Sequence, residues 1–243
     1  MSLRKKFNPI SCSLMLFSSI AVNSVSATPT FTLDTLFKTS NENGNASFTL
    51  RNTQRENVFV KGEVLQVKVV DGEIKKIPLT RDNFPLWDLA INPAKLRLLP
   101  GEVRDVAVKY LCQKDCDRTK DLVYQIRFSP IAAPSDSNEQ RVDIGFGMAP
   151  YYIIPALDPK VTYEWNYDEE KHEVRVNNTG NTYLKIEVDN CNNKLRTVKN
   201  CVAVYNVLAG RVLDIDLPDT LKGKNVRVTV ADHDQRYQDE FSL

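Results

Sequence analysis

The chain has 243 residues, of which 42% are hydrophobic and 9% aromatic, so it can build one large core or two smaller ones and is not a disordered protein. Thirty-two lysines and arginines oppose 31 acidic residues, which leaves no basic excess for a nucleic-acid partner. The two histidines, His172 and His233, are far apart in the sequence, which excludes a three-histidine metal site. We predict that the protein uses no metal or other cofactor.

The first 27 residues have the composition of a secretion signal. The cations Arg4, Lys5 and Lys6 come first, an apolar stretch follows, and small residues before Thr28 offer a cleavage site. The apolar stretch is too short to span a bilayer. We predict that residues 1–27 are removed during export and that the mature chain has no membrane span.

Four cysteines remain after this segment, as two pairs that are close in the sequence, Cys112 with Cys116 and Cys191 with Cys201. An even number of cysteines suits an oxidising compartment. Of the three possible pairings, two local disulfides are the simplest. A four-thiolate zinc site is the alternative, although the spacing lacks its two C-x-x-C pairs.

Most of the remaining sequence alternates between apolar and polar residues, which is typical of half-buried β-strands. Asp71-Gly72 predicts a tight hairpin, and Asn43-Gly44 separates the first two strands. The first group of predicted strands lies around residues 48–50, 65–69, 106–110 and 122–128.

A second group of strands follows Pro155 and Pro159, two prolines that should stiffen the joint between the groups. The spacing and number of strands predict an all-β fold of two β-sandwich domains joined at an angle, one formed by residues 28–155 and one by residues 156–243. The second group lies at residues 161–165, 174–176, 184–188, 212–217 and 226–230.

The last strand of the first domain has one large apolar face. A polar loop, residues 133–140, precedes it. In an ordinary sandwich the apolar face lies in the domain's own core, and alternation alone does not exclude that it meets another molecule. The apolar residues are Val142, Ile144, Phe146 and Met148, and Arg141, Asp143, Gly145 and Gly147 alternate with them.

The order of these elements resembles the PapD-like periplasmic chaperones of the chaperone-usher pilus pathway. The similarity covers residues 87–101, which end in Pro-Gly, then residues 124–131, a variable loop, the alternating strand, and residues 151–155, which end in proline. The resemblance implies two immunoglobulin-like sandwiches and a periplasmic location.

The resemblance also implies a function. Such a chaperone binds and folds pilus or fimbrial subunits by donor-strand complementation and delivers them to an outer-membrane usher. Val142, Ile144, Phe146 and Met148 would fill the open groove of the subunit. An exposed apolar edge of this kind also predicts transient self-association of the free protein.

The chain departs from the best-known members of that family at the cations that hold the subunit's terminal carboxylate. Pro150 occupies the position of the expected lysine, and the first strand, residues 31–38, contains no arginine. The chain therefore resembles the alternate or archaic branches. The candidate cations are Lys38 and Arg141, and for both the ordinary interpretation is a solvated side chain.

The sequence offers less for two other classes of function, an enzyme and a carbohydrate-binding protein. No nucleophile elbow or phosphate loop is present, and the acids Glu169 and Glu170 are adjacent, so they would face opposite ways in a strand. We therefore predict that the protein is not an enzyme. The alternative to a chaperone is a secreted two-domain adhesin or carbohydrate-binding protein that uses Trp87 and Trp165, which are equally suited to core packing.

Overall fold

The structure, a computed structural model, describes residues 30–112, 116–132, 146–191, 200–222 and 225–243. The predicted secretion signal, Cys12 included, lies outside these residues. The described part consists of strands and two short 3-10 helices, Arg81–Leu86 and Asp219–Leu221. Within it, no helix is long and apolar enough to cross a membrane.

Ten strands form the first sandwich. One sheet has the order β1-β3-β8-β6, and the other has the order β2-β10-β9-β4-β5, with β7 paired to β4. The strands are β1 (Phe31–Leu33), β2 (Phe37–Thr39), β3 (Ala46–Asn52), β4 (Val58–Val70), β5 (Glu73–Pro78), β6 (Leu89–Asn92), β7 (Lys95–Leu98), β8 (Val103–Tyr110), β9 (Leu122–Ile131) and β10 (Tyr151–Ile154).

Seven strands form the second sandwich, in sheets of order β11-β12-β15 and β14-β13-β16-β17. The predicted all-β fold of two immunoglobulin-like sandwiches is thereby confirmed. The strands are β11 (Tyr163–Asp168), β12 (Glu173–Asn178), β13 (Leu184–Asp189), β14 (Val202–Val207), β15 (Val212–Asp216), β16 (Arg227–Ala231) and β17 (Gln238–Ser242).

Alternation explains how the first core forms. In β9, Tyr124, Ile126 and Phe128 are fully buried between the sheets, whereas Arg127 is exposed. The predicted hairpin turn joins β4 to β5, with positive φ at both Asp71 and Gly72, as a two-residue primed turn requires. Patterning thus fixes which side of each strand enters the core.

The four cysteines that follow residue 27 form two local disulfides in the structure. Cys112 and Cys116 have Cα atoms 5.9 Å apart, and Cys191 and Cys201 have Cα atoms 5.2 Å apart. Both distances lie in the range that a disulfide requires. This pairing leaves no thiolate for the zinc alternative, and no group of His, Cys, Asp and Glu in the described ranges is arranged to hold a metal ion.

The two sandwiches are in contact through a small apolar cluster. Tyr183 of the second sandwich packs edge-on against Phe37 of the first, with ring centroids 4.9 Å apart, and Val123, Ile153 and Leu208 complete the contact. Buried apolar surface of this kind resists separation of the sandwiches. The prolines therefore act together with direct packing across the joint.

Hydrogen bonds reinforce this joint. The amide of Val212 donates to the carbonyl of Gly72 at 3.2 Å, and the amide of Asp121 donates to the carbonyl of Asn181 at 2.9 Å. The carboxylate of Asp121 joins both sandwiches. These hydrogen bonds, together with the apolar cluster, set how the two sandwiches are placed relative to each other.

Candidate functional site

The site begins where β10 extends backward beyond its first residue. The amide of Met148 donates to the carbonyl of Phe128 at 2.9 Å, and the amide of Phe128 donates to the carbonyl of Met148 at 2.7 Å. This bridge has the same register as the β9–β10 ladder. Residues 146–150 therefore continue the line of β10 along β9.

Only part of this strand is covered on its other side. β2 pairs with β10 in parallel over Tyr151–Ile153, and its coverage ends where the amide of Tyr151 donates to the carbonyl of Leu36 at 2.9 Å. Before Leu36 the chain crosses to the other sheet, in which β1 pairs with β3. Within the described ranges, residues 146–149 have no neighbouring strand on that side. We call these four residues the open edge.

Main-chain groups of the open edge are available for pairing. In an antiparallel ladder, the amide and carbonyl groups of successive residues point alternately to one neighbouring strand and to the other. Because those of Met148 bond to β9, the amides and carbonyls of Gly147 and Ala149 point away from β9. The Ala149 carbonyl accepts a bond from the side chain of Gln125 at 3.0 Å. In the described part of the chain, the amide and carbonyl of Gly147 have no partner. The open edge is thus a template for another strand.

Gly147 is needed for the close approach of this edge to β9. A Cβ atom at this position would lie 2.7 Å from the carbonyl oxygen of Phe128, which is closer than a carbon contact allows. Phe128 is also the residue that exchanges two hydrogen bonds with Met148. The missing side chain of Gly147 therefore permits the pairing that holds the open edge in place.

The predicted apolar residues are placed differently from one another. Met148 is half-buried and packs against the first core, and its insertion into a subunit stays a prediction. Phe146 is 54% exposed. Val142, Ile144 and Arg141 lie outside the described residues.

Leu36 is a neighbour of the open edge that sequence reasoning missed. Its carbonyl bonds to Tyr151, and it is 62% exposed. No pattern in the sequence marks it, because its exposure results from the crossing of the chain between sheets. Leu36 and Phe146 are thus two large apolar side chains that are exposed to solvent at this end of the first sandwich.

Lys38, the predicted cation, is already paired. Its ammonium bonds to the carboxylate of Asp34 and to the carbonyl of Ser47, and it lies 5.0 Å from the ring centroid of Phe48. Burial raises the pKa of the Asp34 carboxyl, but bonds from Lys38 and from the amide of Thr49 outweigh it and hold that pKa below its usual value. In the free chain Lys38 thus has an internal counter-ion, and its binding of a terminal carboxylate stays a prediction.

This pair predicts a pH dependence. Because folding lowers the pKa of Asp34, its contribution to stability is present above the pKa of the unfolded chain and is lost as the pH falls through the folded value. We expect Asp34→Asn to reduce the loss of unfolding free energy between about pH 5 and about pH 3, measured by urea denaturation. An identical pH dependence in the two proteins would contradict this.

The two tryptophans of the alternative function lie in different sandwiches. The indole Nε1 of Trp87 donates to the carbonyl of Thr80 at 3.0 Å. The ring of Trp165 stacks on that of Phe241, with centroids 4.0 Å apart. The structure therefore does not bring the two indoles together into one sugar-binding platform.

Two sequence comparisons relate part of this chain to known proteins. A protein from Escherichia coli, described as an uncharacterized 25.9 kDa protein in CS5 3'region, is 26% identical in an alignment of 173 positions that covers 68% of this chain and 74% of that protein. Residues 33–155 match the family model described as the CS5 fimbrial protein N-terminal domain. That match includes the open edge.

Three solved structures show the same architecture. The Salmonella enterica SafA pilin in complex with the SafB chaperone matches with a TM-score of 0.56 and 12% identity, over 90% of this chain and 98% of that chain. The CsuC-CsuE chaperone-tip adhesion subunit complex of archaic Csu pili from Acinetobacter baumannii matches with a TM-score of 0.52 and 11% identity, over 87% and 97% of the two chains. The class 5 fimbriae chaperone CfaA matches with a TM-score of 0.51 and 13% identity, over 87% and 98% of the two chains. At these identities the likeness concerns the fold. Since the family match spans half of the sequence, this chain belongs to the CS5 fimbrial protein N-terminal domain family, and its fold is that of the chaperone-usher pilus chaperones.

Proposed function

We propose that this chain is a periplasmic chaperone, without enzymatic activity, that binds fimbrial subunits, helps them fold and delivers them to an outer-membrane usher. The observation that carries the proposal is the open edge, whose main chain and exposed Phe146 are available to another molecule. The solved complexes of SafB with a pilin and of CsuC with CsuE support it, because they show proteins of this fold bound to such subunits.

The proposed interaction is the addition of a strand. A subunit strand would take its hydrogen bonds from the outward-facing groups of Gly147 and Ala149, as in other β-augmentation complexes. The side chain of Phe146 would enter the apolar interior of the subunit, together with Val142 and Ile144 if the alternation continues. Full burial of one such side chain contributes about 1.5 to 3 kcal/mol before ordering costs.

The compartment follows from other features. The predicted secretion signal, residues 1–27, would direct export, and the two disulfides suit an oxidising compartment such as the periplasm. We propose residues 28–155 as the domain that binds the subunit and residues 156–243 as the second domain.

Phe146→Asp is expected to abolish recovery of soluble subunit. Aspartate removes the apolar contact and would place a charge in the subunit's interior, which is strongly unfavourable without a partner. The measurement is co-expression with a fimbrial subunit from the same organism, followed by quantification of soluble subunit in the periplasmic extract.

The matched control is Val103→Asp on β8 of the same sandwich, where the valine is 55% exposed and far from the open edge in the sheet order. The control should retain the subunit as the wild type does. Equal recovery with Phe146→Asp and with the wild type would refute the proposal. Glycan binding by the free chain, with no effect of the subunit, would favour the adhesin instead.

A further inference from the structure

The second sandwich has a free strand edge of its own. β14 is the outermost strand of its sheet and pairs only with β13 among the described residues. Its sequence, Val-Ala-Val-Tyr-Asn-Val, contains no charged residue. Most proteins protect such edges with charges, proline or shortness. β14 is the longest uncharged edge strand in the described part of the chain.

Other edges of this protein have that protection. β5 carries Lys75, Lys76 and Pro78, and β17 carries Asp239 and Glu240. β1 and β6 are only three and four residues long. β14 therefore differs from these other edge strands in having neither charged residues nor proline nor a short length.

The solvent side of β14 is apolar. Val202 is 43% exposed and Val204 is 47% exposed. Their neighbours on the same face of β13 are Asp189 and Glu187, which pair with them in the β13–β14 register. Ala203 and Tyr205 on the opposite side pack against the second core. Two β-branched side chains thus stand in solvent beside unpaired backbone.

The register shows which backbone groups are free. The amide of Asn190 donates to the carbonyl of Cys201, so residues 201, 203, 205 and 207 bond to β13. Val202, Val204 and Asn206 then direct their amides and carbonyls to the open side. Val202 and Val204 are also the residues whose side chains stand in solvent.

We propose that β14 pairs with β14 of a second copy of this chain, antiparallel about a two-fold axis, to form a weak dimer. In one antiparallel register, Val202 of each copy lies opposite Val204 of the other copy. Each valine side chain then packs against a valine, and the outward amides and carbonyls of Val202 and Val204 form the hydrogen bonds between the two strands. A strand without charge offers nothing to select an oppositely charged partner, whereas two-fold pairing is self-complementary.

The dimer would join the two β14 sheets into one continuous sheet. It leaves the open edge free, because that edge lies in the first sandwich. The inference is therefore independent of the proposed chaperone function. A contact through one strand is small, so the association should depend strongly on concentration.

The test is the weight-average mass of the mature chain across a concentration series, measured by analytical ultracentrifugation. The wild type should rise from the monomer mass toward twice that value. Val204→Lys should remain a monomer throughout, because it places a charge in the middle of the pairing. Val204→Pro should do the same, because it removes an outward amide without removing a bond to β13.

Val103→Lys, on a central strand of the first sandwich, is the matched control and should dimerise like the wild type. Circular dichroism melts establish that each variant is folded. A wild type that stays monomeric, or Val204 variants that dimerise like the wild type, would overturn the proposal. Loss of the dimer in Phe146→Asp but not in Val204→Lys would also overturn it, by assigning the association to the open edge.

Discussion

Replacing Asp121 with alanine is expected to lower the free energy of unfolding by about 3 to 5 kcal/mol and to loosen the two sandwiches from each other. The carboxylate is buried at the joint and accepts bonds from the amide of Ala156 at 2.9 Å, the amide of Tyr183 at 2.7 Å and the hydroxyl of Thr182 at 3.1 Å. Alanine would leave three buried donors without a partner, and each costs about 1 to 3 kcal/mol. Urea denaturation and the radius of gyration in solution measure the two effects.

Asp121→Asn separates hydrogen bonding from charge. Burial raises the pKa of the Asp121 carboxyl, and the three bonds only partly oppose it. Since folding raises this pKa, the group's stability contribution is greatest below the unfolded pKa and declines as the pH rises through the folded value. The amide side chain keeps an acceptor for Ala156 and removes the buried charge, so its stability should lie between the wild type and Asp121→Ala.

Asp117→Ala is the control from the same loop. Asp117 is exposed, and among the described residues its carboxylate accepts bonds from the amide and hydroxyl of Thr119, within its own segment. Its loss should lower stability much less than the loss of Asp121 and leave the radius of gyration unchanged. A loss of stability in Asp121→Ala no larger than in this control would show that the joint does not depend on the carboxylate.

The fold was predictable wherever strands alternate, and less so elsewhere. β9 and β13 have the period of two that half-buried strands show, and the turn at Asp71-Gly72 has its own signature. β14 and β17 were missed. β14 is apolar on both sides, and β17 is mostly polar and held by its ladder to β16, so neither has a pattern that separates two faces.

The site was predictable in part, for a related reason. The alternation identified Phe146 and Met148 but did not distinguish them, because the difference is set by how far pairing with β9 extends: Met148 is bridged to Phe128 and packs on the core, whereas Phe146 lies beyond that bridge. The pairing of Lys38 with Asp34 needed the three-dimensional turn between β1 and β2. Contacts across the joint, such as that of Asp121, join residues more than 30 positions apart and leave no local pattern.

Gly147→Val is expected to weaken subunit binding by about tenfold to a hundredfold while the chain stays folded. The new side chain must move away from the carbonyl of Phe128, 2.7 Å from its Cβ, and strain of about 1 to 3 kcal/mol would be relieved by separating the open edge from β9. The separated strand would no longer be held straight for pairing with a subunit. The affinity for a purified subunit, or for a peptide with the sequence of the strand it accepts, measures this loss.

Gly101→Ala distinguishes this effect from general destabilisation. Gly101 lies in the turn between β7 and β8, its φ is positive, and a Cβ there meets nothing within 4 Å. Alanine should therefore lower stability by about 1 kcal/mol through backbone conformation alone and leave subunit affinity unchanged. If Gly147→Val bound the subunit as tightly as Gly101→Ala, the open edge would not need its close approach to β9, and another surface of the first sandwich would have to receive the subunit.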